Sequence, residues 1–242
     1  MKLVFVRHGD PDYSIDSLTP KGEVEAKLLA ERISQMEIDE IYVSTMGRAK
    51  KTASYSLEKM NRTAVEYDWL KEFQGTSIRP DVGAETLAWD WLPGDWTEDP
   101  RFYDYDTWTE PEAMEKGNAR EQYDYVIQNL DQFLEDHGYK RNGNTYQVIK
   151  ENRDTIVFFC HFGVTCVILS HLLHVSPMIL WHGLISAPTG VTTVYTEERR
   201  QGIASFRVAA FGDISHLYVA GEEPAFAGRF CETYSNMDER HD

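Results

Sequence analysis

The chain has 242 residues, 42% of them hydrophobic, which suits one generous domain or two small ones. Forty acids against 24 bases leave a net charge of −16, a surface that repels nucleic acid and anionic membranes, so neither is expected as a partner. No apolar run reaches membrane-spanning length, the N-terminal residues lack a secretory pattern, and Cys160, Cys166 and Cys231 form neither a paired framework nor a metal spacing; a cytoplasmic protein is expected. The first element is "LVFV" at 3–6, a short buried strand that ends abruptly in Arg7-His8-Gly9. Thr19 then offers an N-cap and Pro20 a first helical position, and Ala26, Leu29, Ala30, Ile33 and Met36 follow at helical spacing. "IDEIYVS" reads as a second strand, "TMGRAKKTASYSLEKM" as a second helix and "TAVEYD" as a third strand. This alternation predicts a largely parallel sheet with helices on its faces.

Residues 73–118 break the rhythm. They hold four of the six tryptophans (Trp89, Trp91, Trp96, Trp108), eleven acids and three bases, with no sustained period. Flexible linkers are polar and rich in Gly and Ser, so the segment is expected to be an ordered insertion packed on the main domain, either a lid or a satellite hydrophobic cluster. The chain returns to a helix in "AREQYDYVIQNLDQFLEDHGY", with Tyr123, Ile127, Leu130 and Leu134 inward and Gly138 at its stop. "DTIVFFC" is apolar without alternation, as befits a central strand, and turns directly into the helix "HFGVTCVILSHLL". "GVTTVYTEE" and "GIASFRVAAFG" complete the sheet, and the tail after Gly221 reads as irregular.

Two of these strand ends look alike: Arg7-His8-Gly9 follows "LVFV", and His161-Phe162-Gly163 follows "TIVFFC". In a parallel sheet both lie on the same edge, where open α/β sheets place their ligands. Arg48, opening the helix after "IYVS", arrives there too. His137, His171, His174, His182 and His241 lack such contexts and are read as ordinary structural histidines. His216, in "FGDISHL", is read either as a border of the pocket or as a capping or core residue.

"VRHG", "LTPKG", "VSTMGRAKKTA" and "CHFG" together resemble the histidine phosphatase superfamily, also called phosphoglycerate mutase-like, over about residues 1–72 and 119–216. The chain departs from the compact members in its 73–118 insertion, and from the mutases in lacking their longer Asn-containing loop after His8. The resemblance implies that His8 attacks the phosphorus of a phosphomonoester and becomes phosphorylated. A neutral imidazole is required, and Arg7 and Arg48 should depress its pKa. The two arginines would fork onto the phosphate oxygens. His161 would donate a further hydrogen bond, and the helix starting near Phe162 would aim its N–H groups at the phosphate, with Gly163 allowing close approach. The family's proton donor follows the third strand. That role falls on Glu72, with Asp68 the weaker candidate, and needs a raised pKa.

The expected fold is therefore a three-layer α/β/α sandwich with a mostly parallel central sheet, a single domain over 1–242 carrying the aromatic insertion. The expected function is hydrolysis of a small phosphorylated metabolite through a phosphohistidine, with no metal and no cofactor. A phosphoglycerate-mutase-type phosphotransferase is the first alternative, and an inactive family member that binds phosphorylated ligands is the second.

Overall fold

The computed structural model describes residues 1–241. The first half runs β1 (Lys2–Arg7), a small hairpin of β2 (Pro11–Asp12) and β3 (Ser17–Leu18), α1 (Pro20–Ile33), β4 (Glu40–Ser44), α2 (Gly47–Met60) and β5 (Val65–Tyr67). The insertion contributes a hairpin of β6 (Thr76–Arg79) and β7 (Ala84–Leu87), then the short helices α3 (Pro93–Trp96) and α4 (Glu112–Glu115). The second half runs α5 (Ala119–Asp136), a hairpin of β8 (Tyr139–Asn142) and β9 (Thr145–Val148), β10 (Thr155–Cys160), α6 (Phe162–Leu173) and α7 (Pro177–Gly183). A long hairpin of β11 (Val191–Arg200) and β12 (Ile203–Asp213) and then α8 (Ser215–Ala220) follow.

Eight strands form the central sheet in the order β5-β4-β10-β1-β11-β12-β9-β8. The pairings β5–β4, β4–β10 and β10–β1 are parallel, and each later pairing is antiparallel. Six strands (β5, β4, β10, β1, β12 and β8) thus share one direction, and β11 and β9 oppose them. The sheet is mostly parallel, as expected.

Period two explains the layers. Along β1, Leu3 and Phe5 face one side and Val4 and Val6 the other. Val4 and Val6 join Val157 and Phe159 of β10 beneath Leu29 and Ile33 of α1 and Ala49 and Ala53 of α2. Leu3 and Phe5 join Ile156 and Phe158 beneath α5 and α6. Both faces are covered, which is why β1 and β10 read as unbroken apolar runs. Thr19 caps α1 by accepting the Gly22 N–H at 3.0 Å, with Pro20 in its first turn. The helix stops at Ile33, a turn earlier than the spacing predicts, and Met36 still packs on the second core from the connecting turn.

The insertion is continuous with the principal core. Phe73, Trp91, Phe102, Trp108 and Met114 belong to the same buried cluster as Phe5 and Phe158. Trp108 sets its edge against Tyr123 of α5 (5.3 Å between ring centres) and Trp181 of α7 (5.6 Å). The β8–β9 hairpin and α7 were not expected from the sequence.

Register fixes the functional edge. Arg7, the last residue of β1, pairs with Cys160, the last of β10, and Phe159 pairs with Val43, one residue before the end of β4. Three strands therefore stop at one level.

Candidate active site

His8 is the first residue beyond β1. Its backbone N–H bonds to Cys160 O (3.1 Å) and its carbonyl accepts the Thr189 N–H (3.1 Å), so both sides of the sheet hold it. Its side chain is 2% exposed, and Nδ1 lies 2.7 Å from the carbonyl of Gly9. A carbonyl only accepts, so Nδ1 carries the proton and Nε2 keeps its lone pair. Burial pushes the His8 pKa well below the usual imidazole value, and Arg7 and Arg48 push it further against the Gly9 carbonyl. Burial is the larger cause of this depression, ahead of the arginines that the sequence singled out. Gly9 is needed for space: a Cβ there would lie 2.7 Å from the Gly22 carbonyl of α1.

His161 begins α6 and is fully buried, its ring centre 5.1 Å from that of His8. Its Nε2 meets Ser44 Oγ, the last side chain of β4, at 2.8 Å, while Nδ1 has no partner. Arg7 donates through Nη1 to the Ser186 carbonyl and to Ala227 O (3.2 Å). Arg48 donates through Nη1 to Asp16 Oδ1 (2.7 Å). The Nε atoms of both arginines are buried without a partner. Such orphaned donors cost free energy of about 1–3 kcal/mol each, more where charged, and are rare in folded proteins. Three such nitrogens, Arg7 Nε, Arg48 Nε and His161 Nδ1, belong to residues that neighbour His8: the two arginines act on its charge, and the His161 ring lies beside its own. The arrangement suits an acceptor-rich anion.

Glu72 follows β5 and a single 3₁₀ turn at Asp68–Leu70. It is half-buried as a residue, with its carboxylate deep in the protein, close enough to Arg7 and Arg48 to feel both. Burial raises its pKa above the usual carboxyl value against the Phe73 N–H, Arg7, the Val164 N–H and Arg48. Asp68 lies at the surface. It is exposed, bound to Lys71 (2.9 Å) and Thr45 (2.8 Å), and its pKa is lowered by those hydrogen bonds, Lys71 first.

Gly163 and the start of α6 lie against Glu72. Glu72 Oε1 takes the Phe73 N–H (2.9 Å) and the Val164 N–H of α6 (3.1 Å), and a Cβ on Gly163 would come within 2.7 Å of that oxygen. Gly163 and that N–H of α6 thus receive the carboxylate of Glu72.

Several neighbours escaped the sequence reading. Ser44 orients His161, and Thr52 Oγ1 accepts the Gly9 N–H (2.9 Å). Glu25, fully buried on α1, accepts the Asp10 N–H (3.0 Å) and the Ala225 N–H (2.8 Å), tying the loop after His8 to the C-terminal tail. That tail passes over Arg7, where a side chain on Gly228 would strike the guanidinium. Ser44 and Thr52 lie within the quoted "VSTMGRAKKTA", but nothing in the spacing of Glu25 or the tail marks them. His216 is buried behind the site. Its Nε2 meets Thr189 Oγ1 (3.0 Å), and Thr189 holds the His8 carbonyl. The remaining histidines serve packing: His171 bonds Tyr105 and Asp131, His182 stacks on Trp96, and His137 stacks on Phe133. A surface cleft of about 940 Å³ between the insertion and α5 includes none of these site residues and carries four acids, Glu110, Glu115, Glu121 and Asp124, in its lining.

The fold has solved counterparts. A phosphoserine phosphatase from Entamoeba histolytica shares it at a TM-score of 0.54 and 18% identity, over 89% of this chain and 98% of that one. A mycobacterial glucosyl-3-phosphoglycerate phosphatase in complex with inorganic phosphate reaches 0.58 at 18% identity, over 89% and 98%. The α-ribazole phosphatase of Shigella flexneri gives 0.52 at 17% identity, over 88% and 97%. In sequence, a probable phosphatase of Schizosaccharomyces pombe is 23% identical over 237 residues, 90% of this chain and 95% of its own length. The family model of the histidine phosphatase superfamily (branch 1) matches residues 3–208, a span that contains both histidines, both arginines and Glu72. The chain belongs to the histidine phosphatase superfamily.

Proposed function

We propose that this protein hydrolyses a small-molecule phosphomonoester through a phosphohistidine formed on His8, without a metal ion. The observation that carries the proposal is the set of three unpartnered buried nitrogens, on Arg7, Arg48 and His161, in the neighbourhood of a histidine whose Nδ1–H is held by the Gly9 carbonyl and whose Nε2 is therefore unprotonated.

The steps follow from the groups present. The phosphate of the substrate accepts from Arg7 Nε, Arg48 Nε and His161 Nδ1. In this reading Ser44, whose Oγ accepts the Met46 N–H (3.2 Å), gives its own proton to His161 Nε2, which leaves the Nδ1–H for the phosphate. His8 Nε2 attacks phosphorus, and the bond to the ester oxygen breaks. Glu72 gives its proton to the leaving alkoxide, releasing an alcohol. Water then attacks the phosphohistidine, Glu72 takes a proton back, and inorganic phosphate leaves. The guanidiniums stabilise the equatorial oxygens throughout. Positive charge for the phosphate thus comes from side chains, and among the described residues no three His, Cys, Asp or Glu side chains converge as a metal site.

The experiment is a rapid-quench labelling with a phosphomonoester carrying labelled phosphate, run with EDTA present. The parent protein should turn over and trap an acid-labile, base-stable phosphoenzyme. His8→Ala should lose the label and at least 10³-fold in turnover, in line with the loss of a nucleophile. Undiminished turnover in His8→Ala would overturn the proposal, and activity lost to EDTA and restored by Mg²⁺ would overturn its metal-free form.

A further inference from the structure

The β2–β3 hairpin reaches from the nucleophile loop to the start of α2, and Asp16 sits at the contact. Its backbone is left-handed (φ 46°), a conformation that residues with side chains adopt rarely. Gly47 makes the contact possible, because a side chain there would overlap the Asp16 carbonyl. The Asp16 carboxylate then accepts the Gly47 N–H at 2.6 Å through Oδ2 and Arg48 Nη1 at 2.7 Å through Oδ1. Tyr13 places its ring 5.5 Å from the Arg48 guanidinium carbon. One edge of Arg48 is therefore occupied by the protein's own anion. The other edge is not: Nη2 meets only the Met46 sulfur at 3.5 Å, and Nε is unpartnered.

Charge counting gives the consequence. A phosphate dianion is balanced by Arg7 and Arg48. Asp16 then adds a negative charge on the rim. Several cations of the neighbouring elements are already paired: Lys21 with Glu222, Arg32 with Asp213 (3.0 Å), Lys50 with Glu66 (3.3 Å), Lys51 with Glu23 (3.4 Å) and Arg229 with Glu232 (2.8 Å). A second anionic group on the substrate that approached this rim would be repelled by the Asp16 carboxylate.

We propose that Asp16 is a specificity-determining residue, which turns the Nε edge of Arg48 toward the phosphate and restricts the site to phosphomonoesters whose leaving alcohol carries no negative charge. The inference rests on the phosphatase reading above. Asp16 is half-exposed, so its charge acts through partly screened surroundings, and a unit charge at such range is worth about tenfold or less.

The test uses two compounds that differ by one anion, glycerol 3-phosphate and 3-phosphoglycerate, each competing against p-nitrophenyl phosphate hydrolysis. The parent protein should favour glycerol 3-phosphate by about tenfold in apparent affinity, and Asp16→Asn should shrink that ratio about fivefold. Each ratio is measured on one protein sample, so a partly unfolded variant does not distort it. Asp16→Ala, which also removes the acceptor for the Gly47 N–H, should shift the ratio equally while lowering the overall rate. A parent protein that favours 3-phosphoglycerate, or a ratio unmoved in both variants, would overturn the inference. Absence of any p-nitrophenyl phosphate hydrolysis by the parent would instead sink the phosphatase reading itself.

Discussion

Glu72 and His8 are shifted in opposite directions by the same cause. Burial disfavours charge on each, so the carboxyl holds its proton to higher pH and the imidazole stays neutral to lower pH. The proposed mechanism needs that pair of states together. For an alkyl phosphate, kcat/KM should therefore hold on the acid side to below the ordinary imidazole pKa and fall on the alkaline side only above the ordinary carboxyl value. Glu72→Gln cannot donate a proton. It should cost an alkyl phosphate about 10²–10⁴-fold and p-nitrophenyl phosphate far less, because p-nitrophenolate leaves without help. A pH profile with both substrates checks this, and equal losses would assign Glu72 to holding Val164 and Phe73 alone. Arg7, His8, Arg48 and His161 were legible in the sequence because each is tied to a strand end or a helix start. Asp16 and the Ala227 carbonyl were not, since they reach the site from segments with no period, and neither was Glu25, a charged residue buried on the otherwise apolar inner side of α1. Gly163 was legible as a close-approach position, but its partner was not. Which group approaches depends on where the chain after β5 turns back, and no local pattern encodes that.

At the scale of elements, the alternation of short apolar strands with helices gave away β1, β4, β5 and β10. The β8–β9 hairpin was missed although Asn142-Gly143 is a turn signal, and Gly143 does take the left-handed conformation (φ 57°). Its strands are four residues each, and only Tyr139 and Tyr146 are buried, too few to show alternation. The insertion was legible only as aromatic and ordered. Its tryptophans divide into two kinds. Trp91 and Trp108 are buried in the main core, with Trp91 Nε1 donating to Ser77 Oγ (2.9 Å), whereas Trp96 lies at the surface side against His182 and Tyr103. Trp108→Ala should accordingly cost about 3–5 kcal/mol of stability, and Trp96→Ala about 1–2 kcal/mol. Urea unfolding with comparison of midpoints at constant slope measures both. A loss at Trp108 under about 1 kcal/mol would mean that the insertion folds apart from the core it touches.

The molecule as a whole should respond to acid through its buried histidines. His8 and His161 are held well below the usual imidazole pKa, His182 is lowered, and His216 falls to about 4, each chiefly by burial. In the unfolded chain all four regain a pKa near 6.5. Below that pH the unfolded state binds more protons, so stability is fully present above 6.5 and is lost as pH falls toward the folded values. Glu25 and Glu72 act in the other direction. Their folded pKa values are raised, so the stability they contribute is present at low pH and is lost as pH rises through those values. Carboxylates with lowered pKa values, such as Asp16, Glu40 and Asp213, matter only below the ordinary carboxyl range. Between pH 7 and pH 5 four histidines thus oppose two glutamates, each histidine contributing at most about 2 kcal/mol at pH 5. Tm should fall across that interval even though acidification relieves the net charge of −16. His216→Gln keeps a hydrogen-bonding group toward Thr189 and cannot titrate, so its Tm should fall less steeply than the parent's, by up to a quarter of the slope. Calorimetric scans at half-unit pH steps on both proteins decide it. A parent Tm that stays level or rises toward pH 5 would mean that charge relief and the two glutamates outweigh the buried imidazoles.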